Sequence, residues 1–184
     1  MVRRGQIGGL LVALLVVGLC SCYKPPADRL QLGQSVPPLV FIDLKGQAAT
    51  LSAWRGKIVI LNIWATWCAP CRKELPSLQH LYQRLDPNQY VVLGLALDRD
   101  AYLVQEYLRD KGVNYPNFLD REHIIANKTL RLMVYPDTLV IGRDGRLLAR
   151  VVGPAVWDKE NLVNALVAAY GGHGEDLQQL LLGT

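Results

Sequence analysis

The pattern of apolar and polar residues predicts that folding begins near Val36 with a small hairpin. Val40 to Leu44 and Ala48 to Leu51 are short apolar runs on either side of Lys45-Gly46-Gln47, which is typical of two paired strands. Ile58 to Trp64 is almost continuously apolar, as expected of a strand that is buried on both faces. A hairpin is therefore predicted to precede a central strand.

After Trp64 the spacing of the apolar residues changes from that of a strand to that of a helix. Between Cys68 and Asp86 leucines recur every three or four residues, with Pro76 inside the run. The remaining predicted elements are a strand over Tyr90 to Leu97, helices over Ala101 to Arg109 and Ile124 to Leu132, a hairpin of Thr138 to Ile141 with Leu147 to Val152, and a helix over Asp158 to Tyr170. This alternation implies parallel strands and an α/β fold.

The first 22 residues form a segment with a different character. Gly5 to Tyr23 carries no charge and follows two arginines, which indicates an export signal. Because a membrane span needs roughly 20 apolar residues, a cleaved signal and a retained anchor both fit. The sequence Leu19-Cys20-Ser21-Cys22 also resembles a bacterial lipoprotein processing site, in which Cys22 would be lipidated. The alternative is that Cys20 and Cys22 serve only as apolar residues of a membrane segment.

Composition and charge narrow the function classes. The chain of 184 residues is 51% hydrophobic and 20% charged, with a net charge of +4 that falls to +2 without residues 1–22. Since no basic patch is present, nucleic-acid binding is not expected. The four cysteines are too few for a disulfide scaffold and form two close pairs, Cys20/Cys22 and Cys68/Cys71.

The chemistry of the chain is concentrated in Cys68-Ala69-Pro70-Cys71, between the central strand and the next helix. The free N–H groups and partial positive charge of a helix N-terminus stabilise a thiolate, so Cys68 is the predicted nucleophile. Cys71, one turn further along, can form a disulfide with Cys68 and is the predicted resolving thiol. Pro70 suits a first helical turn because it has no N–H group.

Two structural roles compete with redox chemistry at this pair. A zinc site needs four ligands, and the folded part adds only the scattered His80, His123 and His173 to the two cysteines. A static disulfide between Cys68 and Cys71 would close so short a loop that the entropic benefit would be small. Redox chemistry is therefore favoured, and neither a metal nor another cofactor is expected.

From Asn62 to Pro76 the sequence resembles the thioredoxin superfamily, and within it the exported, membrane-tethered TlpA-like and ResA-like thiol:disulfide oxidoreductases, which include the cytochrome c maturation reductases. Further matches are Gly33 to Pro38, Leu51 to Lys57 and Tyr135 to Thr138, within a resemblance that covers about Leu32 to Tyr170. It implies a thioredoxin-like fold, with a central mixed β-sheet flanked by helices and an N-terminal hairpin extension.

The residue patterns and the resemblance together divide the chain. Residues 35–171 are the expected thioredoxin-like domain, and residues 1–22 the signal peptide or membrane anchor. Residues 23–34 are a proline-containing tether, and residues 172–184 a C-terminal tail. The expected location is the periplasmic side of the bacterial cell envelope, where an N-terminal helix or a lipid on Cys22 would hold the protein at the membrane.

Further site residues follow from the same resemblance. In the family the proline before the last hairpin is cis and offers backbone groups to the substrate chain, which Pro136 matches, with Tyr135 before it. Trp67, Ala69 and Pro70 are expected to complete the contact surface for a partner protein.

A proton acceptor for the second cysteine is also expected. Cytoplasmic thioredoxins have a buried aspartate six residues before the nucleophile, but Asn62 stands there and an amide cannot take up a proton. Asp98 and Asp137 are the candidates, with a helix cap and a solvated turn as their respective alternatives. Glu74, on the first helix, is predicted to lie on a solvated face.

These features imply a disulfide oxidoreductase, with the reductase direction favoured, whose partners are thiols and disulfides of exported proteins. The resemblance implies apocytochrome c as a client and a membrane thiol carrier as the electron donor. The alternative is a copper-handling module that delivers Cu(I) or reduces copper-site cysteines, since thiolates select Cu(I). A peroxidase is disfavoured because Leu61 and Ala65 replace the proline and threonine of a peroxiredoxin site.

Overall fold

The computed structural model describes residues 30–174 and 177–182. The predicted signal or anchor over residues 1–22, with Cys20 and Cys22, and most of the predicted tether therefore lie outside the described residues. Within the described ranges, no helix has the length and apolar character that crossing a membrane requires.

Among the described residues, seven strands form a single mixed sheet, and four helices accompany it. The strands are β1 (Val40–Asp43), β2 (Ala48–Thr50), β3 (Ile58–Trp64), β4 (Tyr90–Ala96), β5 (Asn117–Leu119), β6 (Asp137–Ile141) and β7 (Leu147–Val152). The helices are α1 (Ala69–Arg84), α2 (Ala101–Asp110), α3 (Glu160–Tyr170) and α4 (Leu177–Leu182), with a 3₁₀ turn over Leu51–Trp54 and a π-helical turn over Ile124–Thr129. The strand order is β2-β1-β5-β4-β3-β6-β7.

The predicted central strand is confirmed by β3, all seven residues of which are buried. It runs parallel to β4 on one side and antiparallel to β6 on the other. The predicted N-terminal hairpin is confirmed as β1 and β2, and β1 also pairs with β5, which joins the hairpin to the main sheet. The short β5 was not predicted, because three residues after a proline give too little pattern to recognise.

One predicted helix has a different geometry. The stretch over Ile124 to Leu132 forms a π-helical turn over Ile124–Thr129, and both His123 and Arg131 beside it have left-handed backbones, with φ of 53° and 55°. Pro76 lies inside α1 and does not end that helix.

The free edge of β7 is covered by the C-terminal part of the chain. The side-chain amide of Gln178, on α4, accepts a hydrogen bond from Arg150 N at 2.7 Å and donates one to Arg150 O at 3.0 Å. The N-terminal part lies beside the start of the same strand, since Gly33 N donates to Leu147 O at 2.8 Å. Both ends of the described chain thus meet at β7.

Candidate active site

The Cys68-Ala69-Pro70-Cys71 sequence lies where β3 ends and α1 begins. Cys68 caps the N-terminus of α1, and its sulfur accepts a hydrogen bond from Cys71 N at 3.3 Å. The two cysteines are joined by a disulfide, and their Cα atoms are 5.3 Å apart. Pro70 fits the first turn of α1 because a missing N–H group costs nothing there.

The two sulfurs differ in their access to a partner. Cys71 is completely enclosed, whereas Cys68 retains 7% of its accessible surface. Ala69 and Pro70 are exposed beside Cys68, and Trp67 has 61% of its surface accessible. A partner sulfur can therefore approach Cys68 past these exposed residues, whereas α1 and the core enclose Cys71. This asymmetry suits a nucleophile followed by a resolving thiol.

A cis proline lies next to the end of β3. The Tyr135–Pro136 peptide bond is cis and leads directly into β6, in which Asp137 pairs with Ile63 of β3. Pro136 O accepts a hydrogen bond from Gly153 N at 2.8 Å, and the Tyr135 hydroxyl donates to the Asn127 side chain on the π-helical turn. The proline is thus held from two sides, at the same end of the sheet as Cys68.

Asp98 fixes the loop that carries the nucleophile. Its buried carboxylate accepts hydrogen bonds from Thr66 N at 3.0 Å and from the Thr66 hydroxyl at 2.5 Å. The helix-cap alternative for Asp98 is wrong, because Asp100 caps α2 by accepting from Tyr102 N. Asp98 therefore positions Thr66, which lies two residues before Cys68.

Asp137 is buried in an ion pair. Arg150 Nε donates to its Oδ1 at 2.9 Å, and Arg150 Nη2 donates to its Oδ2 at 2.5 Å. The solvated-turn alternative is therefore wrong, since the Asp137 side chain is fully enclosed between β6 and β7. Because Arg150 engages both carboxylate oxygens, the contact is structural and leaves neither oxygen without a partner.

We expect Arg150→Met to lower the free energy of unfolding by about 3–5 kcal/mol, because it removes the guanidinium group that pairs with the buried Asp137 carboxylate. Arg109→Met is the matched control, since Arg109 pairs with Glu106 on an exposed face of α2 and should cost less than about 1 kcal/mol. Urea unfolding of the two variants measures both values. Equal losses would contradict a buried, energetically coupled pair.

Glu74 occupies a buried polar network that the sequence did not predict. Its Oε2 accepts hydrogen bonds from Ala155 N and Trp157 Nε1, each at 3.1 Å, and its Oε1 accepts one from Asn62 Nδ2 at 2.7 Å. The predicted solvated face is wrong, because the loop between β7 and α3 covers this side of α1. Thr138 extends the network by accepting from Asn62 Nδ2 at 2.9 Å.

The carboxyl group of Glu74 titrates near neutral pH. Burial raises the pKa of Glu74 from 4.5 to about 7, and the hydrogen bonds from Trp157, Ala155 and Asn62 oppose that rise. Glu74 lies three residues after Cys71 on α1, and side chains at this spacing are about 5–6 Å apart at Cβ. Both side chains are buried. A carboxyl group that titrates near neutral pH therefore lies one helical turn after the predicted resolving thiol.

Glu74→Gln tests the raised pKa through stability. A folded-state pKa above the unfolded value favours the native state at low pH, and this advantage is lost as pH rises from about 4.5 to about 7. We expect the wild type to lose about 3 kcal/mol relative to Glu74→Gln over this window. The glutamine side chain is nearly isosteric with that of Glu74. Asn62 Oδ1 has no hydrogen-bond partner among the described residues, so once the Asn62 amide flips it can accept a hydrogen bond from the new glutamine N–H. Parallel stability curves would contradict the shift.

The histidines show no arrangement for a metal. His80 contacts Asp158 at 3.0 Å, and His123 Nε2 lies 2.9 Å from Leu97 O. Within residues 30–174 and 177–182, no three or more His, Cys, Asp or Glu side chains are grouped to hold a metal ion. The zinc and copper alternatives therefore gain no further ligand from the part of the chain that the structure describes.

Comparison with known proteins places this geometry in a family. The model of the Redoxin family matches residues 31–166. The chain is 29% identical over 146 residues to the thiol-disulfide oxidoreductase ResA of Bacillus thuringiensis subsp. konkukian (strain 97-27), covering 78% of this chain and 84% of the relative. It is 27% identical over 150 residues to ResA of Bacillus subtilis (strain 168), covering 80% and 83%.

Solved structures agree with these relatives. A putative thiol:disulfide interchange protein DsbE from Chlorobium tepidum superposes with a TM-score of 0.69 at 25% identity, covering 77% of this chain and 99% of that one. StoA from Bacillus subtilis superposes with a TM-score of 0.59 at 20% identity, covering 70% and 96%, which supports the fold alone. The predicted thioredoxin-like α/β fold is confirmed. The chain therefore belongs to the redoxin family, as a thioredoxin-fold thiol:disulfide oxidoreductase of the TlpA/ResA type.

Proposed function

We propose that this protein is exported and reduces disulfides of proteins outside the cytoplasm, with apocytochrome c as a client. The observation that carries the disulfide-reducing activity is the linked pair of the accessible Cys68 and the enclosed Cys71. Glu74, a buried carboxyl with a pKa of about 7, lies one turn after Cys71. Cys68 gives the client disulfide a sulfur that it can reach, and Glu74 gives Cys71 a proton acceptor for the step that releases the client.

The reaction proceeds by two thiol–disulfide exchanges. The Cys68 thiolate attacks one sulfur of the client disulfide, the client S–S bond breaks, and the other client sulfur leaves as a thiolate that takes up a proton. The Cys71 thiol then passes its proton to Glu74 and attacks the Cys68 sulfur. This step releases the second client sulfur as a thiolate, which takes up a proton, and forms the Cys68–Cys71 disulfide. Two electrons have then passed to the client.

The charge beside Cys71 favours the reductase direction. Strongly oxidising dithiol proteins owe their potential to a stabilised reduced form, in which a thiolate is well accommodated. An ionised Glu74 disfavours a thiolate on its neighbour Cys71 by like-charge repulsion. The reduced form therefore gains no stabilisation from a Cys71 thiolate, which favours a reducing over an oxidising potential.

Sequence features support a membrane location. The uncharged run from Gly5 to Tyr23 after two arginines suits an export signal or anchor, and Cys22 suits lipidation. A protein held there on the periplasmic side would receive its electrons from a membrane thiol carrier.

The redox state of the protein in cells tests this function. Cells are quenched with acid, free thiols are alkylated with a maleimide of high mass, and the cell fractions are separated on non-reducing gels. We expect the protein in the membrane fraction with Cys68 and Cys71 mostly reduced at steady state. A mostly oxidised pair would contradict the reductase direction, and recovery in the cytoplasmic fraction would contradict export.

A further inference from the structure

Four exposed apolar side chains form a patch on one side of the domain. Leu32, Met133, Val134 and Val152, called the entry patch here, are between 51% and 74% exposed. They line one groove of about 440 Å³, whose other lining residues are Leu30, Gln31, Leu147, Arg150 and Gln178. Exposed apolar groups gathered in this way mark a surface that is covered by a partner or a membrane.

The groove carries no uncompensated charge from its lining residues. Arg150 is the one charged residue among them, and its guanidinium group is paired with the buried Asp137 carboxylate at 2.5 Å. Covering the groove therefore leaves no lone ion without water, so an apolar occupant suits it.

The entry patch lies where the described chain begins. Leu30 itself lines the groove, and Gly33 is bonded to Leu147 at the start of β7. On the other side of the groove, Met133 and Val134 directly precede the cis Tyr135–Pro136 bond. The groove thus connects the point of chain entry with the two residues that precede the cis Tyr135–Pro136 bond.

The length of the preceding chain limits which face can reach a membrane. Cys22 and Leu30 are eight residues apart, which is at most about 28 Å in a fully extended chain. A domain of this size has a radius of gyration of about 15 Å and is roughly 40 Å across. If residues 1–22 are held in a membrane, a tether of this length cannot reach across the domain, so the face that carries Leu30 cannot be the one turned directly away from the membrane.

We propose that the entry patch docks on the lipid surface of the membrane that holds residues 1–22. Docking turns the cis-proline side of the active site toward the bilayer, where a membrane-embedded thiol donor can reach Cys68. The inference rests on the membrane location in the proposed function.

Photo-crosslinking of the full chain in phosphatidylethanolamine and phosphatidylglycerol vesicles tests the docking. The photoreactive residue p-benzoylphenylalanine replaces Met133 or Val152, one at a time. Tyr102, which is 68% exposed on α2, is the matched control. Gln105, also on α2, donates a hydrogen bond to Leu44 O, just after β1, so Tyr102 lies near β1. In the sheet, β1 is five strand spacings, or about 24 Å, from β7.

We expect lipid adducts from positions 133 and 152 that exceed those from position 102 several-fold. Val152→Asp should reduce the lipid adduct at position 133 several-fold, while flotation of the protein with the vesicles stays unchanged. Circular dichroism confirms that this exposed substitution leaves the fold intact.

Other outcomes overturn the docking. Adducts from position 133 to residues 1–29 of the same chain, to a second copy or to an added client protein would each identify a different occupant. Equal lipid labelling at all positions, or none, in protein that floats with the vesicles would refute the docking and leave the membrane location intact. Protein that does not float with the vesicles would contradict the membrane location on which the docking rests.

Discussion

Cys71→Ser is expected to turn the protein from a catalyst into a trap. Client proteins should accumulate as mixed disulfides on Cys68, and catalysed disulfide reduction should fall to the uncatalysed background. The physical reason is that Cys68 can still attack, whereas the enclosed sulfur that would resolve the intermediate is gone. Affinity purification of the variant after acid quenching, followed by non-reducing gels and mass spectrometry, identifies the trapped clients.

Cys68→Ser is the matched control for the trap. It removes the accessible sulfur and keeps the buried one, so it should trap no client and should also be inactive. Adducts of equal amount on Cys68→Ser would contradict the assignment of Cys68 as the nucleophile. Absence of adducts on Cys71→Ser from cells in which the wild-type pair is reduced would contradict the reductase function.

Glu74→Gln is expected to slow the second step of the cycle, the release of client from the mixed disulfide. A positioned general base contributes about 10²–10⁴-fold to a rate, and the amide cannot accept the Cys71 proton. In the wild type the release rate should rise with pH through about 7, where Glu74 ionises. The variant should lack this rise. Rapid mixing of the reduced protein with a disulfide-bonded peptide, followed by acid quenching, resolves the two steps.

Lys73→Gln is the control for Glu74→Gln. Lys73 is the preceding residue on α1 and is exposed, so its loss should leave the pH profile of release unchanged. The first step, attack by Cys68, should keep its rate in Glu74→Gln, because Glu74 lies behind the buried thiol. An unchanged release profile in Glu74→Gln would contradict a role for Glu74 in proton transfer.

The elements that carry the dithiol could be predicted from the sequence because their signals are local. An unbroken apolar run over Ile58 to Trp64 indicates a central strand, and leucines at helical spacing after Cys71 indicate α1. The two cysteines lie at the junction of these patterns, so the site could be placed before any contact was known.

The burial of Glu74 is not predictable from the local sequence, because its surroundings come from distant parts of the chain. Its partners Ala155 and Trp157 are about 80 residues away in sequence, and the loop that carries them covers α1 only in the folded state. A signal was nevertheless present. Cys71, Leu75 and Leu78 define a buried stripe on α1, and Glu74 falls on that stripe at the same three- to four-residue spacing.

The partner of Asp137 could not be predicted either. Arg150 reaches it diagonally across the β6–β7 ladder, in which Asp137 pairs with Val152 and Leu139 with Arg150. A shift of one residue in that register would place the two side chains on opposite faces of the sheet. The hairpin is visible in the sequence, but its register, and with it the ion pair, is settled by packing.

The reduction potential of the Cys68/Cys71 pair tests the central claim most directly. The protein is equilibrated with mixtures of reduced and oxidised glutathione, and the fraction of disulfide is measured by alkylation and mass spectrometry. A disulfide reductase with a carboxylate beside its resolving thiol should have a potential near or below about −230 mV, in the range of glutaredoxins and thioredoxin. A value near about −120 mV, as in the oxidant DsbA, would contradict it.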